Sequence, residues 1–360
     1  MLVGNNKQLF FRFSVSRLGG VMSMLVRSRA LLVGLFVPVI ILSIMFPLQA
    51  QSKWEPPRTA DGQPDLQGVW ANNNATPLQR PTSLADKKFL TDEELGQLQA
   101  TAAKLFAIDS DDAAFGDSVF EAALAATENF TSRDTQTGNY NQFWMVEREW
   151  NNRTSLIVDP ENGRLPANTK QATMRQEAYA EGRDRHAEWT DDRSLGERCI
   201  TFGAPRLGAG YNSYYQIFQT NTHVVLLMEM AHDARIIPIG DSVDLDKDIR
   251  LWHGNSRGHW EGNTLVVETT NYSPQIYFMG ANENLHVTER FTRIAPDVLE
   301  YEVRFEDPTT WLEPWTAALT MNKSDDALYE YACHEGNIGM EGILSGARFL
   351  EKAEAAEGEQ

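Results

Sequence analysis

The sequence predicts a mainly β protein, an antiparallel up-and-down barrel or a sandwich, with a few peripheral helices in its N-terminal half. The first observation is a series of short apolar or alternating runs, separated by turn residues, from residue 153 onward. The second is that helical periodicity nearly disappears after residue 190. A parallel sheet needs a crossover, usually a helix, between successive strands, so this spacing favours antiparallel neighbours.

Residues 1–50 form the first predicted element, a secretory leader. They contain five basic and no acidic residues, and residues 30–46 are an apolar run. A basic start, an apolar stretch and a small residue at the cut, here Ala50, are typical of a Sec-type signal peptide. We therefore expect a periplasmic or secreted protein, free of the membrane after cleavage. A retained anchor is the alternative, because a 17-residue run reaches the lower limit of a membrane span, roughly 17–25 residues.

The charge argues against nucleic-acid partners. The chain carries −18, and loss of the leader's five basic residues takes the mature part to −23. Such a surface repels phosphate backbones. The sequence has no P-loop and no Gly-x-Gly-x-x-Gly motif after a predicted strand, so no nucleotide or flavin cofactor is expected. The expected partner is a small-molecule ligand or substrate, and the oligomeric state is left open.

The N-terminal half of the mature chain predicts an arm followed by helices. Residues 51–90 are rich in Pro, Asn and Gly, which predicts an extended arm. Residues 91–190 predict helices and strands packed on the barrel. Thr91 and Glu94 have the spacing of a capping box, and Thr169 can cap a later helix. Three helical segments are predicted, over residues 91–107, 119–126 and 170–186.

Residues 191–350 predict the barrel core, and residues 351–360 a disordered tail. The clearest alternation is in residues 299–306, where apolar side chains face inward and charged ones outward. Nine strands are predicted, over residues 64–70, 156–158, 214–220, 223–230, 234–239, 264–270, 299–305, 315–321 and 328–333. Cys199 and Cys333 form an even pair, and outside the cytoplasm such a pair predicts a disulfide. Two buried free thiols are the alternative.

Four stretches carry a resemblance to known proteins: PDLQGVW at 64–70, RTSLIVDP at 153–160, WEGNTLVVET at 260–269 and CHEGN at 333–337. Together they resemble a family of uncharacterised exported bacterial proteins, and the resemblance covers most of the mature chain. It implies export and a single domain, but no activity. The Gly68-x-Trp70 pattern is also similar to the opening strand of lipocalin-like barrels.

Glu229, His232, Asp233 and Arg235 are the predicted catalytic residues. Glu229 interrupts an apolar run that is expected to be covered on both faces, and a buried carboxylate is costly unless it is paired. Arg235, across a bend, is the expected partner. A base, an acid and a cation gathered in a low-dielectric pocket can perform general acid–base chemistry. The alternative is an ion-pair network that only stabilises the fold.

A second cluster predicts ligand binding in a loop. Trp252, His253, Ser256 and Arg257 are the predicted binding residues of this cluster, which also contains Asn255 and His259. Such donors between aromatic rings can bind a carboxylate or carbonyl. The alternatives are a solvated hairpin end, or a Ser256 nucleophile, because residues 254–258 match Gly-x-Ser-x-Gly. The remaining predicted ligand-binding residues are His334, Tyr211 and Asn212.

The sequence therefore favours an extracytoplasmic acid–base enzyme (a lyase, isomerase, hydratase or hydrolase) acting on a small, partly apolar molecule in a barrel cavity. The alternative is a non-catalytic periplasmic barrel that binds a small ligand, and a purely structural role is the third option. No metal is predicted, because the seven histidines are scattered. A metal site built from distant strands is left open.

Overall fold

Ten strands form one sheet in the computed structural model, which describes residues 54–107, 112–131, 141–203, 205–240 and 245–358. The predicted leader and its cleavage near Ala50 lie outside these residues. The strands are β1 (Gly68–Ala71), β2 (Ile157–Asp159), β3 (Tyr214–Gln219), β4 (His223–Met228), β5 (Ala234–Pro238), β6 (Asn255–Glu261), β7 (Thr264–Thr270), β8 (His286–Ala295), β9 (Val298–Glu306) and β10 (Trp315–Ser324). A mainly β, antiparallel fold is confirmed.

The sheet closes into an up-and-down barrel. Its order is β5-β4-β3-β1-β10-β9-β8-β7-β6, and β2 pairs only with β10. The two outermost strands meet through a parallel bridge between Ile239 and Gly258, and the Gly240 amide donates to the Gly258 carbonyl at 3.0 Å. A ring of nine strands cannot alternate in direction throughout, so one neighbouring pair must be parallel. Gly258 suits this seam because a Cβ there would lie 2.5 Å from Ile239 Cδ1.

Large side chains fill the barrel interior. The predicted alternation in β9 is confirmed, because Leu299, Tyr301, Val303 and Phe305 are all buried. Stacked and edge-to-face rings continue this core, with Phe305 and Trp315 centroids 4.2 Å apart. Buried apolar side chains of β3, β4, β5, β7, β8 and β10 complete this core. The predicted antiparallel ring of strands is therefore present, and aromatic and aliphatic side chains occupy its middle.

Three strands and one helix differ from the sequence prediction. β6 and β8 were not predicted, and residues 328–333, predicted as a strand, form no strand. Residues 338–358 form helix α4 (Ile338–Gly358), whereas a strand-rich core ending in a disordered tail from 351 was predicted. α4 is held partly by Arg348, whose guanidinium donates to the carbonyls of Ala187 and Glu188. That anchor is a long-range contact which local sequence does not reveal.

The other helices lie between β1 and β3. They are α1 (Asp92–Leu105), α2 (Ser118–Ala125) and α3 (Lys170–Asp184). The predicted capping box is present, since the Glu94 amide donates to Thr91 Oγ1 at 3.3 Å and the Thr91 amide to Glu94 Oε2 at 2.9 Å. The predicted cap Thr169 accepts from the Ala172 amide at 3.1 Å. No described helix is both long and apolar enough to cross a membrane.

The long connections converge on one end of the barrel. Strand pairing places Ala71, Tyr214, Asn255, Thr270 and Trp315 at the same end. The helices between β1 and β3, the β7–β8 loop and the β9–β10 loop all leave from this end, which we call the loop-rich end. The predicted disulfide between Cys199 and Cys333 is present and joins the segment before β3 to the segment after β10.

The opposite end is covered by the N-terminal arm. Arg58 donates to Asn263 Oδ1 at 2.7 Å, and Asn263 Nδ2 donates to Glu55 Oε2 at 2.6 Å, so the arm contacts the β6–β7 turn. Leu66 is fully buried there. Because one end is closed by the arm, a site for a small molecule is expected at the loop-rich end.

Candidate functional site

The structure separates Arg235 from its predicted partner. Arg235 points into the barrel and pairs with Glu289 of β8, through Nη1–Oε1 at 3.0 Å and Nη2–Oε2 at 2.5 Å. Their side chains are 4% and 1% exposed. Burial opposes the charge of Arg235, but the Glu289 carboxylate outweighs it and raises the Arg235 pKa above its usual range. The predicted Glu229–Arg235 pair is wrong.

Hydroxyl groups complete the polar network around this pair. Arg235 Nη2 also donates to Ser256 Oγ and Thr269 Oγ1, both at 3.1 Å. Tyr301 donates to Glu289 Oε1 at 2.8 Å, and burial raises the pKa of its phenol far above the usual value. Ser256 is thus buried on a strand, where its hydroxyl bonds to Arg235 and Thr269. A serine nucleophile of the Gly-x-Ser-x-Gly motif lies instead on a strained strand-to-helix turn.

Glu229 and His232 hold the C-terminal segment. β4 ends at Met228, so Glu229 lies in the turn before β5 rather than in a strand covered on both faces. Glu229 Oε1 accepts from the Tyr329 amide at 2.8 Å, and His232 Nε2 accepts from the Tyr331 amide at 2.8 Å. Both side chains therefore satisfy backbone donors of an extended segment.

Asp233 and His253 come together from the two predicted clusters. His253 Nε2 lies 3.1 Å from Asp233 Oδ1, with side chains 18% and 10% exposed. Thr201 Oγ1 donates to Asp233 Oδ2 at 2.7 Å and lies 3.3 Å from His253 Nε2. His253 Nδ1 is buried without a hydrogen-bond partner among the described residues. This acid–base cluster joins Asp233, a predicted catalytic residue, to His253, a predicted ligand-binding residue, and to Thr201, which was not predicted.

The rest of the second cluster diverges because residues 255–261 are a strand. Alternation along β6 turns Ser256 inward, while Arg257 and His259 lie on the other face. His259 pairs with Glu261 at 3.2 Å on the surface. Trp252 and His253, which precede β6, lie at the loop-rich end together with Asn255, the first residue of the strand. The predicted convergence of these residues in one loop is wrong.

A groove of about 860 Å³ opens beside the Asp233–His253 pair. Its aromatic wall includes Phe202, Trp252 and Tyr277, whose side chains are 39%, 37% and 41% exposed. Thr201 also lines it, so the acid–base cluster lies directly behind this wall. The groove is also lined by the end of α3 and by residues 185–198, which are rich in arginine and carboxylates. Volume and lining match a small-molecule site.

A second cavity, of about 1060 Å³, lies beside the groove and shares Phe202 and Phe278 with it. It is lined mainly by apolar side chains of residues 113–131 and 202–211. Predicted Tyr211 lies here and stacks on Tyr331, with ring centroids 6.1 Å apart. Predicted Asn212 occupies a left-handed backbone position before β3, with φ of 47°. Predicted His334 is exposed and lines neither cavity.

Sequence reasoning missed Glu289, Thr201 and the α3 wall of the groove. The strand that carries Glu289 could have been predicted, because the apolar residues Val287 and Phe291 alternate with polar residues there. Glu289 lies between these two in the same row. Thr201 and residues 185–198 carry no local signal, since only the folded chain places them beside Trp252. No group of three or more metal-binding side chains is present among the described residues.

Comparison of the chain with models of protein families, with curated proteins and with solved structures found no match. The functional argument therefore starts from the groove and the side chains around it.

Proposed function

We propose that this protein binds a small, partly apolar molecule in the groove at the loop-rich end of the barrel. The observation that carries the proposal is the concentration of Phe202, Trp252 and Tyr277, each more than a third exposed, on one concave surface. Exposed aromatic surface costs free energy in water, and burying it against a ligand recovers that cost. Charged groups that line the same groove would orient the ligand.

The groove is a better candidate than the barrel interior. Inside, Arg235, Glu289, Ser256, Thr269 and Tyr301 bind each other. A ligand there would have to displace both this network and the aromatic core. We therefore propose that the ligand binds in the groove at the loop-rich end, and not within the barrel as a lipocalin-like fold would lead one to expect.

A ligand-observed NMR screen of neutral and charged ring compounds tests the proposal. We expect some compounds to bind the wild type, and Trp252→Ala to weaken their binding at least tenfold because a stacking face is lost. Trp144→Ala is the matched control, since Trp144 is 60% exposed and lines neither cavity. Equal losses in the two variants, or no binding at all, would contradict the groove.

The second candidate function is acid–base catalysis on the bound molecule, favoured by the contact between His253 and Asp233 beside Thr201. A carboxylate that holds an imidazole is a common general-base arrangement. His253→Gln and Asp233→Asn would then abolish conversion of a groove ligand while its affinity changes little. Mass spectrometry of ligand incubated with wild type and variants measures this. A ligand recovered unchanged from the wild type would leave binding as the function.

We also propose that the protein works outside the cytoplasm after removal of residues 1–50. The leader pattern ending at Ala50 and the disulfide between Cys199 and Cys333 both support this setting. Expression of the full chain in a bacterium, followed by intact mass measurement of the periplasmic fraction, should give a chain that begins near Gln51. A full-length chain in the membrane fraction would instead indicate a retained anchor.

A further inference from the structure

The charges that line the groove cancel each other. Arginines at 183, 185, 193 and 198 face the carboxylates of Glu188, Asp191, Asp192 and Glu197. They are equal in number, although the chain as a whole is strongly acidic. A groove without net charge offers little Coulomb attraction to an anion or a cation, and the acidic surroundings disfavour anions further. The groove chemistry therefore favours a neutral ligand.

These charged groups are also held in place. Glu197 accepts from Arg193 at 2.7 Å, from Arg183 at 3.1 Å, and from the Ser194 hydroxyl and amide at 2.7 and 2.9 Å, which fills its acceptor sites. Arg198 pairs with Asp191 at 2.8 Å, and the Asp191 side chain is 79% exposed. A guanidinium has five N–H donors and a carboxylate about four acceptor sites, so this second pair still has hydrogen-bonding capacity. The wall thus presents fixed donors and acceptors side by side.

The groove also offers flat apolar surface. The Tyr277 ring is backed by Tyr179 of α3, with centroids 3.9 Å apart and planes within 7°. Trp252 lies on the same groove, 37% exposed. A backed ring loses little conformational freedom when a second flat group covers it. A ligand that fits this lining has a flat C–H face for the rings and several hydroxyl groups for the charged side chains.

From this lining we infer that the ligand is a neutral saccharide. The apolar face of a pyranose ring packs on Trp252 or Tyr277, and its hydroxyl groups both donate to carboxylates such as Asp191 and accept from arginines such as Arg198. A benzoate or a quaternary ammonium ion gains no net Coulomb attraction from a lining in which arginines and carboxylates are equal in number. The inference rests on the proposed function, because it names the chemistry of the same groove.

Isothermal titration calorimetry with maltotetraose, cellotetraose and chitotetraose tests the inference on the mature protein, with benzoate and benzyltrimethylammonium as charged ring probes. We expect at least one saccharide to bind saturably and more tightly than either charged probe. Trp252→Ala and Tyr277→Ala should each weaken that binding at least tenfold. Trp252→Phe should retain most of it, and Trp144→Ala should match the wild type. Circular dichroism checks that every variant is folded.

The outcomes separate this inference from the proposed function. Groove-dependent binding of a charged ring probe without saccharide binding would overturn the saccharide and keep the groove as a ligand site. Binding of a saccharide that is insensitive to both Trp252→Ala and Tyr277→Ala would overturn the site. If no probe binds the folded wild type, both the saccharide and the groove fail.

Discussion

At the scale of single residues, the sequence predicts that Arg235 needs a carboxylate partner, but it does not identify Glu289 as that partner. The sequence marks Arg235 as a charge next to apolar strands, and it suggests Glu229, six positions away, as the partner. The structure instead supplies Glu289, 54 positions away, because β5, β6, β7 and β8 close the seam side of the barrel. The nearby carboxylate, Glu229, bonds to the Tyr329 amide.

Breaking this pair should destabilise the fold. In Glu289→Leu, Arg235 stays buried without its carboxylate, and removal of one partner of a buried pair costs about 3–5 kcal/mol. The double variant Arg235→Met with Glu289→Leu should recover much of that loss, since an apolar pair needs no charge compensation. Urea unfolding followed by circular dichroism measures both. Glu261→Ala is the control, because its partner Arg290 is exposed and such pairs contribute about 0–1 kcal/mol.

The carboxylate of the α1 capping box should make stability depend on pH. Hydrogen bonds from the Lys87 ammonium and the Thr91 amide lower the pKa of Glu94 from 4.5 to about 2. A carboxylate with a lowered pKa favours the folded state only when ionised, so its contribution is present above about pH 4.5 and is lost as the pH falls through about 2.

Glu94→Gln should therefore unfold more easily than the wild type at neutral pH, and the two stabilities should converge at the acid end of this window. Chemical denaturation at a series of pH values gives the difference directly. Glu93→Gln, which removes a charge from the same first turn, controls for the helix dipole. A difference that stays constant down to the acid end would show that the Glu94 charge is not the cause.

At the scale of elements, the two strands missing from the sequence prediction each contribute one residue to the buried polar network. The inward row of β8 is Val287, Glu289, Phe291 and Arg293, and the inward residues of β6 are Ser256 and Gly258. Charged, small or polar residues at inward positions weaken the alternation on which strand prediction depends. Burial of Glu289 becomes favourable only when Arg235 pairs with it from another strand.

Gly254 should be intolerant of a side chain at the start of β6. Its φ is +66°, and a Cβ there would lie 2.5 Å from the Thr270 carbonyl oxygen. Gly62 has a similar φ of +79° but open space around it. Gly62→Ala should cost about 1 kcal/mol, from the left-handed backbone alone. Gly254→Ala should cost about 2 kcal/mol more, because backbone must also move. Similar losses in urea unfolding would contradict the steric argument.

At the scale of the whole molecule, the disulfide joins the two parts of the chain that frame the loop-rich end. Cys199 adjoins Thr201 of the acid–base cluster, and Cys333 follows Tyr331, which His232 holds. The C-terminal segment also bonds through Tyr329 to Glu229. Three contacts therefore attach residues 329–333 beside the groove and the second cavity.

Removal of this disulfide should lower stability without changing the fold. The bond closes a loop across 134 positions, for which loop entropy corresponds to about 4–5 kcal/mol. Paired Cys199→Ser and Cys333→Ser substitutions, and reduction of the wild type, should cause equal losses in urea unfolding. Hydrogen exchange at the Tyr329 and Tyr331 amides should quicken in both. Slow exchange after reduction would show that the Glu229 and His232 contacts suffice.

The sequence by itself determined the features that local chemistry encodes. The capping box of α1, the cap of α3 and the alternation of β9 each depend on neighbours within a few positions, so the residues suffice to predict them. The antiparallel class follows from short runs with no helices between them. The cysteine pair was a prediction from the expected compartment, and the structure confirms it.

The tertiary structure alone decided the site. Which carboxylate neutralises Arg235, and which residues line the groove with Trp252, depend on barrel closure at Ile239 and Gly258 and on the connections between β1 and β3. α4 has its place because Arg348 reaches the carbonyls of Ala187 and Glu188. Contacts between distant segments form only when the whole core is buried, and their free energy leaves no pattern in any short stretch of sequence.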